Sequence, residues 1–362
     1  MMNTSSRIYV AGHKGLVGSA ITRELKAQGY NNLLLRSRSE LDLLDANGVN
    51  AFFEKERPEY VFLAAARVGG IMANNTYRAD FLYANLQIQN HVIHVAWKYG
   101  VKKLLFLGSS CIYPRECPQP MKEEHLLTGP LEYTNEPYAI AKIAGMKMCE
   151  SYNLQYNTDF ISVMPTNLYG PNDNYNLYGS HVLPALIRKM HLARLLSEKD
   201  FESIRNDFRK SPVEGIDPEM TDENLERKLM DFGIVNQDGD VKLLLWGTGK
   251  PRREFLHSDD LARACVYILN HVAFQDIVKA RGWNEVRNTH INIGVGEDLS
   301  IAELAALVKD VTGFSGSIGW DDTKPDGTYQ KLLDVSRLYD LGFQASISLQ
   351  EGVKQVYQEY KQ

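Results

Sequence analysis

The sequence predicts an α/β fold, a doubly wound parallel sheet followed by a smaller C-terminal α/β domain. Three observations carry that expectation. Short apolar runs alternate with amphipathic stretches through the first third of the chain, the pattern of parallel strands joined by crossover helices. A turn containing Gly12, Gly15 and Gly18 joins the first run to the first helical stretch. The 362 residues, 44% apolar and 23% charged, suffice for one large α/β unit or two domains.

The elements follow in order. Apolar runs predict strands at residues 7–11, 32–36, 60–64, 103–107 and 160–165. Apolar residues returning every three or four positions predict helices over 16–29, 46–56, 77–99 and 137–155. A later run, Leu243-Leu244-Leu245-Trp246, ends in Gly247-Thr248-Gly249 and reads as a strand and turn. Residues 197–240 are rich in charge, carry Pro212 and Pro218, and contain two short helical patterns. They read as an inserted helical subdomain, either a lid or a solvated decoration. The expected division is a cofactor domain over 1–171, with segments at about 241–270 returning to it, and a substrate domain over 172–362 that includes the insert.

Composition excludes several classes. A net charge of -5 argues against a general nucleic-acid binder, so an anionic ligand must be held by local cations. Cys111, Cys117, Cys149 and Cys265 have neither metal-ligand spacing nor a secreted disulfide pattern, and no metal is expected. No run approaches the roughly 18 apolar residues of a membrane span, and the N-terminus has no signal-peptide profile. The expectation is a cytoplasmic protein.

The first loop is a cofactor signal. Gly12-His13-Lys14-Gly15-Leu16-Val17-Gly18 lies between a strand and a helix. Glycines there let the backbone approach a pyrophosphate, and the helix N-terminus offers free N–H groups and a positive dipole end. The sheet is therefore expected to be of the Rossmann type. A carboxylate ending the second strand would favour NAD, and an arginine NADP. This chain has Leu34-Leu35-Arg36-Ser37-Arg38 there and Lys14 in the glycine loop, which favours NADPH.

The chemistry sits further along. Tyr138 and Lys142 are four residues apart, one turn on one helix face. A nearby ammonium favours a phenolate and is expected to lower the tyrosine pKa, so that Tyr138 exchanges a proton with a carbonyl oxygen as hydride reaches its carbon. Ser109, after the fourth strand, would hydrogen-bond the same oxygen. Cys111 is the unusual member, because carbonyl reduction has no use for a thiol. It suggests proton transfer at carbon.

These motifs resemble the extended short-chain dehydrogenase/reductase family. The resemblance runs through Ala11–Gly18, Ala64–Thr76, Leu107–Pro114, Thr134–Gly145, Met164–Pro171 and Lys324–Asp334, most of the chain outside 197–240. Within the family it points to members that epimerise GDP-4-keto-6-deoxy-D-mannose at C3 and C5 and reduce C4 to give GDP-L-fucose. It implies NADP(H) as cofactor, a GDP-sugar substrate and a homodimer. It also implies that Ser109, Tyr138 and Lys142 form the reductase triad, with Cys111 and His181 as base and acid for the epimerisation. Protons at C3 and C5 flank the C4 ketone, so their removal gives an enolate held at the same oxygen, and inversion needs groups on both faces. The resemblance further places Gly12, His13, Lys14, Gly15, Leu16, Val17, Gly18, Arg38, Leu107, Gly108, Ser109, Ser110, Lys142, Pro165, Thr166, Asn167, Leu168 and His181 at the cofactor. It places Lys189, Trp246, Arg253 and Asp326 at the substrate, Lys189 standing where the family more often has arginine.

Rival functions separate on single features. A 4,6-dehydratase uses an acidic pair after the strand-end hydroxyl, where this chain has Ser110 and Cys111. A 4-epimerase has no need of Cys111 and His181. A reductase or epimerase/reductase acting on another 4-keto GDP-deoxyhexose or GDP-heptose is the closest rival. A non-catalytic NADP sensor needs only the glycine loop and no triad.

Overall fold

The computed structural model describes every residue except Asp238, 280–284 and Pro325, and leaves the side chains of Ile71 and Met72 undescribed. Ile71 and Met72 belong to the Ala64–Thr76 motif and Pro325 to Lys324–Asp334, so those positions fall outside the account below. The chain divides into two compact units. The first comprises Met1–Asn172, Glu254–Glu297 and Leu332–Ile347, and the second Asp173–Arg253, Asp298–Lys331 and Ser348–Gln362. The pieces returning to the first unit thus begin at Glu254, and the strand at 243–246 belongs to the second unit, where the sequence suggested a return over about 241–270.

The first unit is built from β1 (Ile8–Ala11), α1 (Leu16–Ala27), β2 (Leu33–Leu34), α2 (Ala46–Glu56), β3 (Tyr60–Leu63), α3 (Ile71–Thr76), α4 (Arg78–Lys98), β4 (Lys103–Leu107), α5 (Glu136–Tyr156), β5 (Phe160–Pro165) and β6 (Asn167–Tyr169), with the strand Ile291–Ile293 returning late. The main sheet is wholly parallel, in the order Ile291–Ile293, β5, β4, β3, β1, β2. Strand alternation accounts for its two covered faces. Tyr9, Val61, Leu104 and Phe106 pack with Phe53, Val92 and Met146 on one side, against α2, α4 and α5. Ile8, Val10, Phe62 and Leu105 pack on the other with Ile21 and Leu25 of α1 and Leu261–Leu269 of the helix Ser258–His271. The winding direction reverses between β1 and β3, and that crevice at the strand C-termini is where such sheets take ligands. The second strand is only two residues long, against the five expected. Beyond it the chain turns on Ser37 and Glu40 instead of continuing the sheet.

In the second unit the strand Asp240–Trp246 pairs antiparallel with Ile234–Gln237 and parallel with Ser317–Asp321. The insert forms the helices Phe201–Lys210 and Asp222–Met230. Ile204, Phe208, Leu225 and Leu229 are buried. Arg188, on the helix Val182–Ser197, is fully buried and pairs with Asp207 of the insert at 2.7 Å. Its guanidinium also donates to Tyr175 O at 3.0 Å and Ser211 O at 2.6 Å. A charge buried this way stays only when paired and hydrogen-bonded. The insert is therefore an anchored part of this unit and no loose decoration. No helix among the described residues is long and apolar enough to cross a membrane.

Candidate active site

The glycine loop lies at the reversal in the sheet. Gly12 has φ +84°, and a Cβ there would meet Ala65 N at 2.9 Å, so only glycine fits between the loops after β1 and β3. A Cβ at Gly18 would collide with Gly12 O, because the first turn of α1 packs directly on the loop. Gly15 differs: a Cβ would meet only Gly12 O, at 3.6 Å. The protein's own packing does not require that glycine, which leaves close approach of a ligand as its use. The N-terminus of α1 has no side-chain cap and no acidic residue in its first turn. His13 Nδ1 is buried with no hydrogen-bond partner, and burial together with Lys14 holds its pKa below the ordinary imidazole value. Uncapped N–H groups, an open cradle and an orphaned ring nitrogen fit a dinucleotide pyrophosphate.

The cations after β2 separate into two kinds. Arg36 is committed within the unit: it pairs with Glu56 at 2.9 Å and lies over the Phe52 ring. Arg38 is 80% exposed, with Asp42 at 3.6 Å as a loose partner, and Lys14 is exposed. Lys14 and Arg38 are thus the cations open to a 2′-phosphate.

The catalytic candidates of the first unit gather where β4 ends. Gly108 has to be glycine because Met164 fills the space beside it. Ser109 follows, its hydroxyl accepting from Cys111 N–H at 3.3 Å, and Cys111 is buried in the short turn Ser110–Ile112. Helix α5 begins with Pro137 in its first turn and presents Tyr138 and Lys142. Gly145 lets α5 close on Phe106 and Gln89, and Gln89 Nε2 donates to Ala141 O at 2.7 Å. Lys142 is buried and donates to Leu107 O at 2.7 Å, with its Nζ 5.7 Å from the Tyr138 ring centre.

Electrostatics here departs from expectation. Tyr138 is half-buried, and desolvation drives its pKa above the ordinary phenol value, with the Cys111 sulfur adding to the rise. Lys142 does not reverse this, because its ammonium is turned to the Leu107 carbonyl. Burial lowers Lys142 itself to about 8, an effect that Cys111 partly opposes. The phenol therefore stays protonated at neutral pH, the form that donates to a carbonyl oxygen. The Cys111 thiol lies within electrostatic reach of both the phenol and the ammonium.

At the end of β5, Thr166 N–H donates to Ile293 O, while the Thr166 hydroxyl and Asn167 Nδ2 donate to Glu254 O at 3.3 and 2.9 Å. Pro165 ends β5, and Leu168 pairs with Leu256. Sequence reasoning missed two residues under this region. Glu254 is fully buried, and its carboxylate accepts from the N–H groups of Val295, Gly296 and Leu333 at 2.7, 2.8 and 3.1 Å. Asn292 accepts from the Tyr113 hydroxyl at 2.5 Å and donates to Met121 O and Asp334 O. The signal for Glu254 was the carboxylate inside Arg252-Arg253-Glu254-Phe255, a charge in an otherwise strand-like segment. Cys117 lies 3.3 Å from His125 Nδ1, away from the other candidates.

The second unit holds the remaining candidates. His181 precedes the helix Val182–Ser197 without capping it. It is exposed in area, yet enough protein surrounds it that partial desolvation lowers its pKa. Lys189 is half-buried on that helix with a pKa lowered by burial, and its neighbour Arg188 is already committed to Asp207. Trp246 ends its strand 69% exposed, with Lys324 Nζ 5.9 Å from its ring centre. Asp326 accepts from Thr248 N–H at 2.9 Å and its hydroxyl at 2.6 Å, closing the turn after Trp246. Asp326 also acts on Arg253, whose guanidinium is half-buried and donates to Arg252 O at 2.7 Å. Arg253 and Asp326 thus lie together beside the turn that follows Trp246. Among the described residues no group of carboxylates, imidazoles and thiols is arranged to hold a metal.

The chain belongs to the NAD dependent epimerase/dehydratase family, whose profile matches residues 8–206 and 213–294. It is 49% identical to GDP-L-fucose synthase 1 of Arabidopsis thaliana over 360 residues, covering 99% of this chain and 94% of that one. A GDP-6-OMe-4-keto-L-xylo-heptose reductase from Campylobacter jejuni superposes with a TM-score of 0.91 at 45% identity, covering 99% of both chains. A GDP-mannoheptose C4 reductase from the same organism, with NADP bound, gives 0.86 at 44% identity over 100% of both.

Proposed function

We propose that this chain is an NADP(H)-dependent enzyme that epimerises GDP-4-keto-6-deoxy-D-mannose at C3 and C5 and reduces C4 to give GDP-L-fucose. The observation that carries the reading is the grouping of Cys111 with Tyr138 and Lys142 at the end of β4, since reduction alone leaves the thiol without a task. The 49% identity to a GDP-L-fucose synthase supports the substrate class.

In this reading the open glycine loop binds the pyrophosphate and Lys14 and Arg38 bind the 2′-phosphate. Leu107, Gly108, Ser110, Pro165, Thr166, Asn167 and Leu168 line the rest of the cofactor site. The Cys111 thiolate removes a proton beside the C4 ketone. Negative charge moves to the C4 oxygen, held by the Ser109 hydroxyl and the Tyr138 phenol. In this reading His181 is the acid that returns a proton, its lowered pKa making the imidazolium the stronger acid. Base and acid regain their starting states by exchange with water before the second inversion. NADPH held at that loop would supply the hydride for C4. Tyr138 then protonates the oxygen, and the buried Lys142 ammonium stabilises the phenolate left behind. Trp246 offers its exposed face to the guanine, while Arg253 and Lys189 meet the diphosphate.

A cytoplasmic homodimer completes the proposal. All four cysteines are buried and none is in a disulfide, as suits a reducing compartment. Helices α4 and α5 expose Tyr83, Ile140, Leu154 and Tyr156, apolar surface suited to a second copy.

A second reading, a GDP-heptose C4 reductase, is favoured by the two Campylobacter structures at 44–45% identity. One experiment separates them. Incubation with the 4-keto GDP-deoxyhexose in heavy water, with and without NADPH, is expected to place deuterium at C3 and C5 in the wild type and not in Cys111→Ser. NADPH oxidation with no deuterium uptake overturns the epimerase half and leaves a 4-reductase.

A further inference from the structure

Residues 37–40 close a turn beside the cofactor loop. Ser37 donates twice to the Glu40 carboxylate, through its N–H at 2.7 Å and its hydroxyl at 2.6 Å. The N–H groups of Glu40 and Leu41 donate back to Ser37 O at 3.0 and 2.9 Å. Locally this is a turn closed by a serine and a glutamate three residues on, with no helix behind it. Its position gives it a second meaning. It directly follows the second strand, where a doubly wound sheet meets the adenosine ribose, and Glu40 lies within electrostatic reach of Lys14, Arg36 and His13. The Ser37 donors and Lys14, one of the two cations open to a 2′-phosphate, already face an anion of the chain itself. A phosphate and a carboxylate repel when they share one set of donors.

We propose that Glu40 is a specificity-determining residue for the cofactor: its carboxylate occupies the Ser37 donors of the 2′-phosphate subsite, so NADPH must displace it and NADH need not. The inference rests on the reading of the chain as an NADP(H) enzyme. Glu40 keeps the subsite assembled at the cost of part of the discrimination between the two dinucleotides. Glu40→Gln retains an oxygen for Ser37 and removes the charge. Glu40 is exposed, so the substitution leaves the core intact.

The test is a binding titration without sugar. Wild type and Glu40→Gln are titrated calorimetrically with NADPH, NADH and 2′,5′-ADP. NADPH and 2′,5′-ADP are expected to bind about fivefold tighter to the variant, as suits removal of one like charge at a partly solvated site, while NADH changes by less than about twofold. Unchanged NADPH binding overturns the proposal. So does an equal change for both dinucleotides, which is what simple loosening of the turn produces. Ser37→Ala is expected to weaken NADPH more than NADH, and an equal loss counts against the subsite. A wild type that binds neither NADPH nor 2′,5′-ADP overturns the NADP(H) reading, and this inference with it. That result is distinct from a binding wild type whose variant fails to tighten.

Discussion

The two groups of candidate residues differ in how far they are closed to water. In the first unit Cys111 and Lys142 are buried and Tyr138 half-buried, and desolvation moves the phenol up and the ammonium down. In the second, Trp246 is 69% exposed, His181 is exposed in area, and Asp326 is fixed by the Thr248 hydroxyl. Groups that move protons gain from a dry site, where small rearrangements shift their pKa values. Groups that receive a charged nucleotide lose little by staying wet until it arrives. In the proposed reading the contrast puts the chemistry at the C4 oxygen in the first unit and most of the nucleotide binding in the second.

Tyr138→Phe puts the assignment at greatest risk. Reduction is expected to fall roughly 10³-fold, within the range for loss of a positioned general acid. Deuterium exchange at C3 and C5 is expected to persist at a reduced rate, and equal loss of both activities breaks the separation of roles. Next in size, Arg188→Leu leaves the buried Asp207 charge without its cation, only the Tyr360 hydroxyl still donating to it, and is expected to cost about 3–5 kcal/mol of stability. Chemical denaturation measures it, and a loss under about 1 kcal/mol shows that the insert is not anchored by this pair.

The pH dependence sharpens the first half of the contrast. Burial lowers Lys142 to about 8 from 10.5, so between those values the unfolded chain binds more protons than the folded one. Stability from this group therefore rises with pH across that window, while below about 8 both states carry the proton and its contribution is flat. Activity runs the other way, with kcat expected to fall above about pH 8 as the ammonium is lost. A profile flat to pH 10 denies the tuning. The smallest effect belongs to the exposed side. Trp246→Ala is expected to raise KM about fivefold to tenfold, the loss of about 1 kcal/mol of base stacking, with kcat nearly unchanged and thermal stability unaltered. A fall in kcat matching the rise in KM moves Trp246 into the catalytic half.

Much of this was legible in the chain, and the residues say why. Ile8–Ala11, Lys103–Leu107 and the helix carrying Tyr138 and Lys142 announce themselves by local periodicity, and Gly12 and Gly18 by their place between strand and helix. The strand Asn167–Tyr169 did not, because three residues carry no period, and its partner Phe255–His257 lies far along the chain. Glu254 and Asn292 were missed for a related reason, since their partners are up to 179 residues away. The Tyr138 pKa was read in the wrong direction. Sequence shows a lysine four residues on, but neither the carbonyl that captures its ammonium nor the burial that outweighs its field.

The pairing of Arg188 with Asp207 bears on how this enzyme can be remodelled. Excising residues 197–240 to obtain a compact variant would strand a guanidinium in an apolar interior, so a trimmed chain that keeps Arg188 should misfold for reasons unrelated to the lost surface. Loop and helix change together or not at all, and a graft of this segment onto a shorter scaffold needs the arginine carried with it.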